Sequence, residues 1–114
     1  MTDHINVDPY PRRVVVRFGG EVIVDTQSAV ALKEGRIPPR LYFPRADAKM
    51  DHLQRTEHST HCPYKGDAAY YSLKVGDATA ANAVWTYEQP IAKMEGIAGM
   101  LSFYPQHVEI EEYD

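Results

Sequence analysis

Seven consecutive residues, Thr60-His61-Cys62-Pro63-Tyr64-Lys65-Gly66, hold a hydroxyl, an imidazole, a thiol and an ammonium within one short stretch. Lys65 follows Cys62 by three positions, so a chain that curls at Pro63 brings the two together. A thiol beside a cation gains thiolate character, because the negative sulfur is stabilised by the adjacent positive charge. His58 and His61 are within reach as bases, and Thr60 or a backbone amide is placed to stabilise developing charge. The chemistry on offer is a nucleophilic or redox thiol at Cys62, or an anion site at Lys65. A lone cysteine also serves as a small buried hydrophobe.

A second set of residues is aromatic. Trp85 and Tyr87 are two apart in a β-rich run and so point to one face. Tyr70, in the preceding run, faces them across a hairpin, while Tyr71 takes the opposite face. Tyr42 ends a different run. The chain has 8 Tyr and 1 Trp, enough rings to wall a pocket for a flat or charged ligand. The same rings equally suit cross-strand core packing.

Other chemistries have weaker support. His58, His61, Cys62 and Asp67 offer metal donors close together, but zinc sites draw ligand pairs from two separated segments and the second pair is missing. No metal and no cofactor is expected. Asp47, Asp51 and Glu57 have the spacing of ordinary solvated acids. There is no phosphate-binding loop and no nucleophile elbow, and Gly19-Gly20 is a turn rather than a dinucleotide fingerprint.

The whole composition narrows the classes further. The 114 residues are 44% hydrophobic and 25% charged, the balance of one globular domain. Twelve basic residues stand against 16 acidic ones, a formal charge of -4, which argues against nucleic acid as a partner. One cysteine excludes an internal disulfide. No apolar run reaches the length of a membrane span, and the polar start does not read as a signal peptide. A cytoplasmic setting without a membrane partner is the expectation; the oligomeric state is open.

These residues must be positioned by short elements. Residues 1–12 read as a flexible arm and 13–114 as a single domain. Arg13–Phe18 and Glu21–Thr26 alternate around Gly19-Gly20, a hairpin pattern. Ala29–Leu32 is ambiguous; Leu41-Tyr42-Phe43 is a strand stopped by Pro44. A short strand fits within Arg45–Gln54. Arg55–Asp67 reads as a long loop. Ala68–Val75 and Thr79–Tyr87 form a second hairpin through Gly76-Asp77, bent near Asn82. From Pro90, Ile91, Met94, Ile97 and Leu101 fall at helical spacing, interrupted by Gly96 and Gly99. Val108 and Ile110 suggest a last strand.

The chain resembles a bacterial family, domain of unknown function 427. The resemblance is carried by Val16-Arg17-Phe18-Gly19-Gly20-Glu21, by Pro39–Arg45, and by the long run His58–Ala68 into Tyr70-Tyr71-Ser72. Trp85-Thr86-Tyr87 and Phe103-Tyr104-Pro105 complete it. It implies a mainly β fold of the Mss4-like, or β-tent, kind: small antiparallel sheets meeting at an angle, here with one short C-terminal helix. Many proteins of that fold hold zinc with two cysteine pairs, which Cys62 alone cannot supply. No activity comes with the resemblance, so function has to be argued from the site.

Three readings follow. The first is a binding domain for a small planar or anionic ligand, in a cleft lined by Tyr42, Tyr70, Trp85 and Tyr87 with Thr60, Cys62 and Lys65 at its polar mouth. The second is an enzyme using Cys62 as a thiol activated by Lys65. The third is a protein-interaction module working through an exposed edge or apolar patch.

Overall fold

The computed structural model describes residues 5–114. Ten strands form three small antiparallel sheets, the mainly β architecture expected. The first sheet has the order β1 (Ile5–Tyr10), β4 (Ala29–Glu34), β5 (Ile37–Tyr42). The second is β10 (Glu109–Tyr113), β2 (Arg13–Phe18), β3 (Glu21–Thr26). The third is β6 (Leu53–Cys62), β7 (Gly66–Val75), β8 (Ala78–Thr86), β9 (Leu101–Phe103).

Alternation along the strands divides the interior into two clusters. Val14, Val16, Ile23, Phe43, Tyr71, Leu73, Val84, Leu101 and Phe103 belong to one. Ile5, Leu32, Tyr42, Tyr70, Trp85, Tyr87, Met94 and Ile97 belong to the other. The central strand β7 serves both, with Tyr70 facing one way and Tyr71 the other, as period-2 geometry requires. Near Asn82 the β7–β8 register slips, and Asn82 takes a positive φ of 53°, which accounts for the bend read there.

The β2–β3 turn is tight because Gly19 and Gly20 both have positive φ, 58° and 83°. Gly19 also lies against the next hairpin: a Cβ there would meet those of Val75 and Ala78 at 3.2 Å. Nothing lies within 4 Å of a Cβ at Gly20. Gly19→Ala is therefore expected to cost about 1–2 kcal/mol from left-handed backbone, plus the displacement of Val75. Gly20→Ala should cost only the backbone part. Parallel urea melts of the two variants check this; equal losses would mean that the hairpin contact carries no weight.

Four expectations need correction. Within the arm read at residues 1–12, Ile5–Tyr10 is a strand paired with β4, Ile5 opposite Glu34 and Pro9 opposite Val30; residues 1–4 lie outside the described chain. Pro9 is tolerated because β1 is a sheet edge, where a missing N–H breaks no ladder. The loop read over Arg55–Asp67 is mostly β6, whose polar, exposed sequence reflects a solvated edge strand with a bulge between Arg55 and Ser59. The short strand placed within Arg45–Gln54 is instead two 3₁₀ turns, Arg45–Asp47 and Met50–His52, leading into β6.

The helix from Pro90 is the fourth. The chain makes only 3₁₀ turns over Ala92–Ile97, with Met94 off helical geometry at φ -107°, ψ 18°. Met94 and Ile97 are buried at i and i+3, the spacing that eclipses in a 3₁₀ turn. Gly99, at φ 70°, then turns the chain into β9, where Leu101 bonds Phe43 in both directions at 2.8 and 2.9 Å. The apolar spacing that resembles a helix serves two different elements.

Candidate functional site

The β4–β5 hairpin and the β6–β7 hairpin meet over the aromatic face of β7 and β8. Between them lies a cleft of about 300 Å³. Its walls are Tyr42, Tyr70, Trp85, Tyr87 and Tyr104, and its charged groups are Glu34, Arg40 and Lys65.

Register accounts for the rings. Tyr70 stands opposite Trp85 in the β7–β8 ladder, and Tyr87 is two residues on, so all three share a face. Tyr42 enters from β5 and accepts a hydrogen bond from Trp85 Nε1 at 3.1 Å. The two rings meet edge to face, centroids 6.3 Å apart at 89°, the arrangement that ring quadrupoles favour. Tyr104 tilts against Trp85 at 4.6 Å. Burial is the main cause that pushes the Tyr42 and Tyr87 phenols up to about 12. Burial also raises Tyr104, followed by its hydrogen bond with Tyr70. At neutral pH these three hydroxyls are intact and neutral.

The polar groups come from the hairpin ends. Cys62 pairs with Gly66 at the end of the β6–β7 ladder, so the stretch read as a loop is a strand end, a three-residue turn and a strand start. Gly66 takes φ +121°, and a Cβ there would sit 3.2 Å from the Pro90 Cα. That close approach lets the Ile91 N–H reach the Lys65 carbonyl at 2.9 Å and fixes where the lysine leaves the backbone.

Lys65 Nζ donates to Glu34 Oε1 at 2.9 Å and toward Cys62 Sγ at 3.8 Å. The Lys65 side chain is only 12% exposed and that of Glu34 23%. Burial is the largest single influence on Lys65 and pulls its pKa down. The Glu34 hydrogen bond, with attraction from Cys62, Glu34 and Tyr42, outweighs it, and the pKa ends above the ordinary value. Lys65 is accordingly a held cation rather than a free amine.

Arg40 is the other cation. It is exposed, and its guanidinium carbon lies 5.5 Å from the Trp85 ring centroid, a cation–π distance. Among the described residues it forms no ion pair. Glu34 offsets Lys65, so the cleft carries one uncompensated positive charge at its mouth.

The structure thus brings Tyr42, Lys65, Tyr70, Trp85 and Tyr87 into one cleft. Thr60 and Cys62 stand beside it: Thr60 Oγ1 bonds the Tyr70 hydroxyl at 3.0 Å, and half-buried Cys62 packs against the aromatic cluster. The two histidines do not line the cleft. His58 packs on Tyr70 with centroids 4.5 Å apart, and His61 bonds the exposed Asp67 at 2.7 Å. Among the described residues no three of His, Cys, Asp and Glu are grouped to hold a metal ion, and no helix is long and apolar enough to cross a membrane.

Glu34, Arg40 and Tyr104 were not singled out from the sequence. A signal existed for two of them. Leu32 is buried and Glu34 is two residues on, while Arg40 is two before Tyr42; strand alternation places each on its neighbour's face. Tyr104 follows β9 and had no such cue.

No curated protein sequence matches the chain. The family model described as domain of unknown function DUF427 matches residues 6–114, nearly its whole length, and the chain belongs to that family.

Proposed function

We propose that this domain binds a small planar molecule bearing an anionic group, seated between the rings of the aromatic cleft. The observation that carries the reading is Arg40: a guanidinium without a carboxylate partner among the described residues, over the ring of a tryptophan that lines an aromatic-walled concavity. A flat ligand replaces water on the ring faces, and its anionic group meets Arg40 with Lys65 close behind. Charge-assisted hydrogen bonds of this kind are about twice as strong as neutral ones.

Trp85 is the single tryptophan, so its fluorescence reports on this cleft alone. Benzoate, benzyl alcohol and benzylammonium share a ring and differ in charge. Titrated with excitation at 295 nm, benzoate is expected to bind about ten-fold more tightly than the alcohol, and benzylammonium least. Arg40→Gln should remove most of the benzoate advantage without moving the urea midpoint, because Arg40 is exposed. Equal responses to all three probes, or none, would sink the reading.

A second reading rests on the 3.8 Å approach of Lys65 Nζ to Cys62 Sγ, the contact that an activated thiol needs. It makes Cys62 a nucleophile toward an electrophile held in the cleft. Iodoacetamide alkylation against pH, in the wild type and in Lys65→Met, separates the readings: identical profiles rule out activation by Lys65.

A further inference from the structure

A second cleft, of about 410 Å³, opens where all three sheets meet. Its walls are mostly apolar: Leu41 and Phe43 at and after the end of β5, Phe103 and Pro105 at and after the end of β9, and Ile110 from β10. The carboxylate that borders it, Glu112, is already engaged by the Tyr10 hydroxyl and by Arg12. The one charge facing this cleft without a counter-ion among the described residues is Arg40.

Arg40 lines both clefts. Along β5, Arg40 and Tyr42 serve the aromatic cleft while Leu41 serves the other, followed by Phe43. Beyond β9 the same division falls between adjacent residues, Tyr104 for the aromatic cleft and Pro105 for the apolar one. β5 and β9 are joined by the Phe43–Leu101 bridge and by Ser102 Oγ on the Leu41 carbonyl at 2.9 Å. Past that clamp the two chains continue as the shared border of both clefts.

We infer that the two clefts form one bipartite site, for a molecule with a planar head, a central anionic linker held at Arg40 and a short apolar tail. The inference rests on the planar-anion reading of the aromatic cleft and adds the tail. An apolar floor next to a guanidinium with no counter-ion among the described residues suits a linker that is charged yet substituted on both sides, as in an aryl alkyl phosphodiester.

Phenyl methyl, phenyl butyl and phenyl hexyl phosphate test it on the full chain, with Trp85 quenching as readout. The head and the charge are constant in this series and only the tail grows. Each buried methylene is expected to tighten binding about three-fold, giving about twenty-fold or more between methyl and butyl, with less gain from butyl to hexyl as the cleft fills. Ile110→Asp puts a carboxylate at the rim on a residue already 36% exposed. It should cut the methyl-to-butyl ratio below about three-fold, a comparison in which the effect of the new charge on the shared head and linker cancels. Affinity independent of tail length, or a gain that survives Ile110→Asp, overturns the bipartite site while leaving the planar-anion reading intact. Failure of phenyl methyl phosphate itself to quench Trp85 overturns both.

Discussion

Trp85→Ala is expected to remove about 3–5 kcal/mol of folding stability, the range for truncating a buried aromatic. Trp85 is both cleft wall and core, and its burial decides which role dominates the energetics. The residue is only 8% exposed and packs in the cluster with Leu32, Met94 and Ile97. Truncation leaves a void that the β7–β8 ladder cannot close, because Tyr70 and Ser102 are fixed opposite position 85 by register. It also strips the Tyr42 hydroxyl of its N–H donor. Trp85→Phe keeps a ring and loses the donor and part of the volume, so it should cost less than half as much. Urea unfolding followed by far-UV circular dichroism checks both variants. A loss below about 1 kcal/mol for Trp85→Ala would mean that the ring stands in an open pocket and carries no core.

The second large effect is alkaline. Tyr42 has a phenol pKa raised from 10.0 to about 12, chiefly by burial, with the hydrogen bond from the Trp85 N–H pulling the other way. The folded chain therefore holds this proton where the unfolded chain has released it. The stabilisation is fully present below pH 10 and is lost as pH rises toward 12, to the extent of roughly 2–3 kcal/mol. Lys65, also raised, adds to the loss in the same direction. Tyr42→Phe isolates the share of Tyr42 from those of Lys65, Tyr87 and Tyr104, which are raised as well. Its urea midpoint should fall less between pH 9 and pH 11 than that of the wild type. Absorbance at 295 nm should lose one late-titrating phenolate in the variant. A wild-type midpoint constant over that interval would contradict the burial of Tyr42.

Much of the positioning was legible in the residues. Gly19-Gly20 and Gly76-Asp77 marked two hairpins because left-handed turns demand such residues. The face shared by Tyr70, Trp85 and Tyr87 followed from period 2 alone. What stayed hidden depended on surroundings that no local pattern encodes. β6 has little apolar alternation because it lies at a solvated edge, so a ten-residue strand looked like a loop. Residues Ile5–Tyr10 looked like an arm because Pro9 is costly in a central strand and harmless at an edge. The spacing of Met94, Ile97 and Leu101 imitates a helix since burial at i and i+3 suits a 3₁₀ turn as well. Glu34 and Arg40 reach the cleft only because β4–β5 folds over β7 and β8, a contact across more than thirty residues between Glu34 and Lys65.

The pairing of β10 with β2 has a consequence in time. The hairpins β2–β3, β4–β5 and β6–β7–β8 join near neighbours in sequence, and such contacts close quickly. β10 must instead find β2 across nearly the whole chain, Glu111 beside Val15. Every residue of the aromatic cleft, from Leu32 through Tyr104, belongs to segments other than β10, so that cleft can pack before the β10–β2 contact closes. The apolar cleft waits for Ile110 and Glu112. One half of the concave surface can therefore form without the longest-range pairing of the fold, and the other half takes shape only when that pairing closes.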